Sequence, residues 1–119
     1  MADFDAEAHV YDYIVYVYLI KALDRDRKVL RQLKLARAWE GLAEALLTRL
    51  VAELTDHRRR MARHGLRIVL EEIVPGNNVH VMYTYRRYEY HCYMLPYVLK
   101  SRCEDKILQL IQDMHLAEG

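Results

Sequence analysis

The residues predict an α+β domain in the order ααβββα: a helix-helix hairpin, a three-stranded antiparallel β-meander and a C-terminal helix, with the helices on one sheet face. Three observations carry this reading. Apolar residues recur at helical spacing over residues 10–61 and again after 99, the period changes to two after Gly65, and the apolar parity reverses between residues 79–85 and 88–94.

The first helix opens with Asp3, Asp5 and Glu7, acidic groups that suit the positive end of a helix and can cap it. Val10, Ile14, Val17 and Ile20 follow at helical spacing, with Tyr16, Leu19, Leu23 and Leu30 as a neighbouring stripe. The stretch VYDYIVYVY is rich in β-branched and aromatic residues, so a short strand is the competing reading. The second helix is clearer: Trp39, Leu42, Ala43, Leu46, Leu50, Leu54 and Met61 fall along one side of a 3.6-residue period. Gly65 after a basic last turn is its stop. No Gly or Pro marks residues 31–38. An antiparallel hairpin is expected there, with a continuous bent helix as the alternative.

After Gly65, Ile68 and Leu70 alternate with Arg67, Val69 and Glu71, and PGNN at 75–78 signals a turn. The next apolar positions are Val79, Val81, Tyr83 and Tyr85, then Tyr88, Tyr90, Cys92 and Met94. One straight strand would keep a single parity. A turn at Arg86 and Arg87 restores it, setting Tyr85 opposite Tyr88, Tyr83 opposite Tyr90 and Val81 opposite Cys92 on one face, joined by Ile68 and Leu70. His80, Met82, Thr84, Glu89, His91 and Tyr93 then share the other face. The difficulty is that a two-residue turn wants positive φ, which arginine disfavours. In the last helix Leu99, Cys103, Ile107, Leu110, Ile111 and Met114 form one stripe, and both Pro96 and the Ser101–Glu104 capping box are candidate starts.

A chain of 119 residues, 53% hydrophobic and 29% charged, fits one domain, 1–119, that folds without metals or disulfides. The formal net charge of +1 supplies no global field, so binding to nucleic acid or anionic lipid has to come from local clusters. The longest apolar run, residues 13–20, is far below the ~20 residues of a membrane span, and no membrane partner is expected. Cys92 and Cys103 show no metal spacing and no leader precedes them, so reduced thiols in a cytoplasmic protein are expected.

Catalytic signals are weak. Ser101 is the only serine, there is no glycine-rich phosphate loop, and both cysteines lie on inward stripes. His91 and Cys92 are strand neighbours and point to opposite faces. His80 and His91 share a face, with Glu89 the only nearby carboxylate, which falls short of a metal site. His57 and His64 are expected in solvent. Asp12 is expected to reach water or the unpaired amides of the first turn, with Arg67, Arg86 and Arg87 as possible partners. No cofactor and no metal is expected, and the protein is read as non-catalytic.

Ten tyrosines against one phenylalanine is the compositional oddity, because a buried phenol needs a hydrogen-bond partner that a phenyl ring does not. Tyr83, Tyr85, Tyr88 and Tyr90 are expected under the first and last helices with hydroxyls at the rim. Tyrosine and arginine are also enriched at interfaces. The function expected is therefore a small soluble protein-interaction or regulatory module that self-associates as a homodimer. Its partner-binding residues would be Tyr11, Tyr18, Arg86, Arg87, Tyr88 and Tyr97. The alternative is a sequence-nonspecific nucleic-acid binder using Arg58, Arg59, Arg60 and Arg63 with Arg86 and Arg87.

Overall fold

The computed structural model describes residues 4–118, and side chains as far as residue 114. The order is α1 (Ala6–Leu30), α2 (Ala36–Arg63), β1 (Arg67–Val74), β2 (Asn78–Tyr85), β3 (Tyr88–Met94) and α3 (Pro96–Glu118), with one antiparallel sheet in the order β1-β2-β3. The predicted ααβββα fold is the observed one.

Helix α1 is a helix throughout its length, capped by Asp5, whose Oδ1 accepts from the Ala8 N–H at 3.0 Å. Its strand-like composition has a packing cause. Tyr13, Ile14, Val15 and Tyr16 are all buried, so the helix is surrounded rather than one-sided, with the sheet against it and α2 and α3 on its other flanks. The connection at residues 31–35 makes α1 and α2 a hairpin. Asp12 is exposed and meets none of the three arginines proposed for it. Helix α2 ends as Gly65 takes φ +73°, which lets the Leu66 N–H reach back to the Met61 carbonyl at 2.9 Å. Its predicted stripe needs two corrections. Trp39 and Leu42 are exposed, because the hairpin outruns the sheet and none of the described residues covers its far end. Pro96 is the first residue of α3, and Ile111 on its predicted stripe is exposed.

His57 also departs from expectation, being 3% exposed. Its Nε2–H donates to the His9 carbonyl on α1 at 2.6 Å, and its ring stacks on that of His9. Burial pushes the His57 pKa below its ordinary 6.5, against the upward pull of that hydrogen bond. The folded state therefore prefers the neutral ring, while the unfolded chain takes up a proton near 6.5. Stability from this site is complete above that value and is lost as pH falls from it toward the depressed folded value. The unfolding temperature should drop between about pH 7.5 and about pH 5.5, and His57→Gln, which keeps an N–H donor, should flatten that drop. An unchanged slope in the variant would assign the acid sensitivity elsewhere.

The β2–β3 register is the predicted one: Tyr85 faces Tyr88, Tyr83 faces Tyr90 and Val81 faces Cys92. Val79, Val81, Tyr83, Cys92 and Met94 enter the core with Val10, Ile14 and Leu19. The turn adopts the conformation that arginine disfavours, with φ +53° at Arg86 and +71° at Arg87. Replacing the pair by Asn-Gly, the sequence this turn prefers, should stabilise the fold by about 1 kcal/mol. Urea unfolding of Arg86→Asn/Arg87→Gly measures it, and a loss of stability would mean the guanidinium groups hold the turn.

Strand β1 differs from prediction. A bulge at Val69 lies between the pairs Ile68–Tyr83 and Leu70–Met82. Of the two residues expected inward, Ile68 keeps that face. Leu70 and Glu72 move to the outer face, and Glu71 turns inward, where its carboxylate accepts from the Tyr13 hydroxyl. Tyr83 is buried and Tyr85 half-buried as expected, but Tyr88 is 68% and Tyr90 41% exposed, because helical cover stops short of that end of β3.

Candidate functional site

Strands β1 and β3 are the two edges of the sheet, and their free sides are built differently. The β1 edge is interrupted by the bulge at Val69 and carries Glu71 and Glu72. Strand β3 pairs with β2 residue for residue over its whole length, without a bulge. Because the turn has two residues, its flanking pair, Tyr85 and Tyr88, is hydrogen-bonded, and so are every second pair beyond it. It follows that Glu89, His91 and Tyr93 direct their backbone N–H and C=O groups away from β2. Along this free edge Tyr88, Tyr90 and Tyr93 expose 68%, 41% and 57% of their surface.

The six residues proposed for partner binding do not form one cluster. Arg86, Arg87 and Tyr88 stand together at the turn, where the Arg86 guanidinium lies 5.1 Å from the Tyr85 ring centre. Tyr11 and Tyr18 are half-buried on α1, facing Arg102 at 5.5 Å and Lys21 at 5.0 Å respectively. Burial raises the pKa of both phenols. Tyr97 is 71% exposed in the first turn of α3, beyond the opposite end of β3. Tyr90 and Tyr93 are the aromatic contacts that sequence reasoning left out of the set. Tyr90 stacks on Tyr83 at 5.3 Å, and burial with the neighbouring Cys92 pushes the Tyr83 pKa up to about 12.

The basic residues of the nucleic-acid reading are partly gathered. Phe4 stacks on His64 at 3.9 Å and lies 5.8 Å from Tyr85, so the C-terminal end of α2 adjoins the β2–β3 turn. Arg60 and Arg63 are thereby brought to the same end as Arg86 and Arg87. Arg58 instead lies over the Tyr13 ring, and Arg59 pairs with Asp56 at 3.6 Å.

On the outer sheet face four side chains form a hydrogen-bonded row. Glu72 Oε1 meets His80 Nδ1 at 2.8 Å, His80 Nε2 meets His91 Nδ1 at 2.9 Å, and His91 Nε2 meets Glu89 Oε2 at 3.0 Å. His80 is 7% exposed, its ring edge to edge with that of His91 and stacked on that of Tyr93 at 4.6 Å. The row cross-links all three strands. Sequence reasoning paired His80 with His91 and Glu89 but missed Glu72, which reaches this face only through the bulge. Among the described residues no group of three or more His, Cys, Asp or Glu side chains is disposed to hold a metal ion.

Burial pushes the Cys92 thiol up to about 11 and raises that of Cys103, so both stay protonated at neutral pH. No helix among the described residues is long and apolar enough to cross a membrane. Compared with known proteins, the family model described as YhjD protein matches residues 1–115. No curated protein and no solved structure matches.

Proposed function

The chain belongs to the YhjD protein family, and we propose that it is a small, non-catalytic interaction module with a regulatory role, which self-associates through the free edge of β3. The observation that carries this reading is that edge itself, straight over residues 88–94 and lined by three exposed tyrosines. No bulge, proline or lysine lies within it, and Glu89 is its one charged residue. Two copies pairing antiparallel about His91 set Glu89 against Tyr93 of the second copy, and form a continuous six-stranded sheet with two-fold symmetry. Arg86, Arg87 and Tyr88 lie at the rim of that contact. The strain kept at the two arginines supports a contact role, since Asn-Gly would serve the turn better. The free thiols of Cys92 and Cys103 are in keeping with a reducing, cytoplasmic setting.

Light scattering across a concentration series tests the reading. The mass should rise from one copy to two, and Glu89→Pro should hold the protein monomeric with its circular dichroism unchanged, because the lost N–H points away from β2. Tyr93→Ser, which leaves the backbone groups in place, should weaken the dimer. A strict monomer at high concentration would contradict self-association.

One observation favours a second reading, nucleic-acid binding: the shared end that holds Arg60, Arg63, Arg86 and Arg87. A salt titration with random-sequence oligonucleotides should then show affinity falling steeply with salt, and no affinity at low salt would remove this reading.

A further inference from the structure

The α1–α2 hairpin projects past the core. Buried residues of α1 end at Leu19 and those of α2 begin at Ala43, so residues 20–42 contain no buried side chain. Between Lys21 and Leu42 stand seven basic and three acidic residues, a local charge of +4 in a chain whose total is +1, which leaves −3 for the rest. Asp26, Asp24 and Glu40 pair with Arg25, Arg27 and Arg31. Lys28, Lys34 and Arg37 have no carboxylate within ion-pair distance among the described residues.

At the apex of this cationic hairpin the side chains are apolar. Leu33 and Leu35 are 47% and 75% exposed, with Val29 at 58% and Trp39 at 45% just behind them. Leu35 is misplaced on two counts of local stability. It has φ +63°, which favours Gly or Asn, and it occupies the N-cap of α2 without making a side-chain cap bond, where Ser, Asp or Asn would make one. A sequence chosen for folding alone would not place an exposed leucine there.

We infer that the α1–α2 turn is a docking tip for an anionic bilayer surface, with Leu33 and Leu35 entering the acyl boundary and Lys28, Lys34 and Arg37 meeting the headgroup phosphates. The order of groups along the hairpin carries the choice of occupant. A convex tip that leads with leucines and is collared by cations matches the layering of a membrane interface. A second copy is disfavoured because tip-to-tip contact would bring +4 against +4. Nucleic acid would gain nothing from leucines set ahead of the cations. The expectation of no membrane partner rested on span length and total charge, and both statements hold: the tip lies on a surface without crossing it, through a local cluster. The inference does not depend on pairing of β3.

Trp39 is the only tryptophan and reports the tip directly. Intact protein should co-sediment with mixed phosphatidylglycerol–phosphatidylcholine vesicles at low salt with a blue shift of Trp39 emission, and bind phosphatidylcholine vesicles far less. Leu35→Asn should unfold at the same or a higher temperature and yet partition about tenfold more weakly. Lys34→Gln should weaken binding and reduce its salt dependence. Absence of binding to anionic vesicles would overturn the inference, as would binding undiminished by Leu35→Asn in folded protein. A concentration-dependent mass abolished by Leu35→Asn would also overturn it, making a second copy the occupant.

Discussion

Leu50→Ala is expected to destabilise the fold by about 3 kcal/mol, since truncating a fully buried leucine removes its transfer energy and leaves a cavity that neighbours only partly fill. Leu50 is 0% exposed in a core it shares with Ile14, Leu19 and Leu110. It lies on α2, which joins the core through α1, so the cavity opens where the hairpin is anchored to the rest of the molecule. For a domain of this size the loss corresponds to a fall in unfolding temperature of about 10 °C. Leu42→Ala on the same predicted stripe should change stability by less than about 0.5 kcal/mol, because Leu42 is exposed at the overhanging end. Comparable losses at the two positions would mean that the hairpin's far end is covered.

Glu53→Ala is expected to cost about 2 kcal/mol, because it strips the partner from two groups at the point where the three helices meet. Glu53 on α2 accepts from the Tyr16 hydroxyl of α1 at 2.9 Å and from Lys106 Nζ of α3 at 2.8 Å. Burial alone would raise the Glu53 pKa, but the hydrogen bonds from Lys106 and Tyr16 outweigh it and hold the carboxyl below its ordinary 4.5. The sign follows from linkage. The unfolded chain protonates near 4.5 and the folded one lower, so this stabilisation is complete above 4.5 and lost as pH falls through the depressed value. That window lies below the one expected for His57, which separates the two sites in a pH series. Adding Lys106→Met to Glu53→Ala should recover part of the loss, since the orphaned ammonium is removed with its partner. Denaturant unfolding of the four proteins of this cycle measures the coupling, and strictly additive losses would show that the pair does not act as one unit.

The meander was legible because its parity switch admits few geometries: Tyr83, Tyr85, Tyr88 and Tyr90 share a face only if the chain reverses at the arginines, and it does so at the cost of two positive φ angles. Gly65 as stop was equally readable, having one stereochemical use at a helix end, whereas the cap could be narrowed only to Asp3, Asp5 and Glu7, of which Asp5 takes the role. The bulge at Val69 was not. Ile68, Val69 and Leu70 are all apolar, so alternation cannot reveal an extra residue, and with it went the placing of Leu70, Glu71 and Glu72. Coverage was also hidden. Trp39 and Leu42 continue the helical period of Leu46 and Leu50, and only tertiary structure shows that the sheet ends before reaching them. The same holds for His57, whose burial depends on the His9 carbonyl of a different helix. Of the candidate surface, the turn with Arg86, Arg87 and Tyr88 could be read in advance, whereas Tyr90 and Tyr93 join it because β3 is an uncovered edge.

Amide hydrogen exchange along β3, followed from dilute to concentrated protein, tests self-association through that edge most directly. The Glu89, His91 and Tyr93 amides, which face away from β2, should exchange rapidly when dilute and become protected as concentration rises, while the Tyr90 and Cys92 amides stay protected throughout. Rapid exchange of the outward amides at every concentration would contradict pairing of β3 with a second copy.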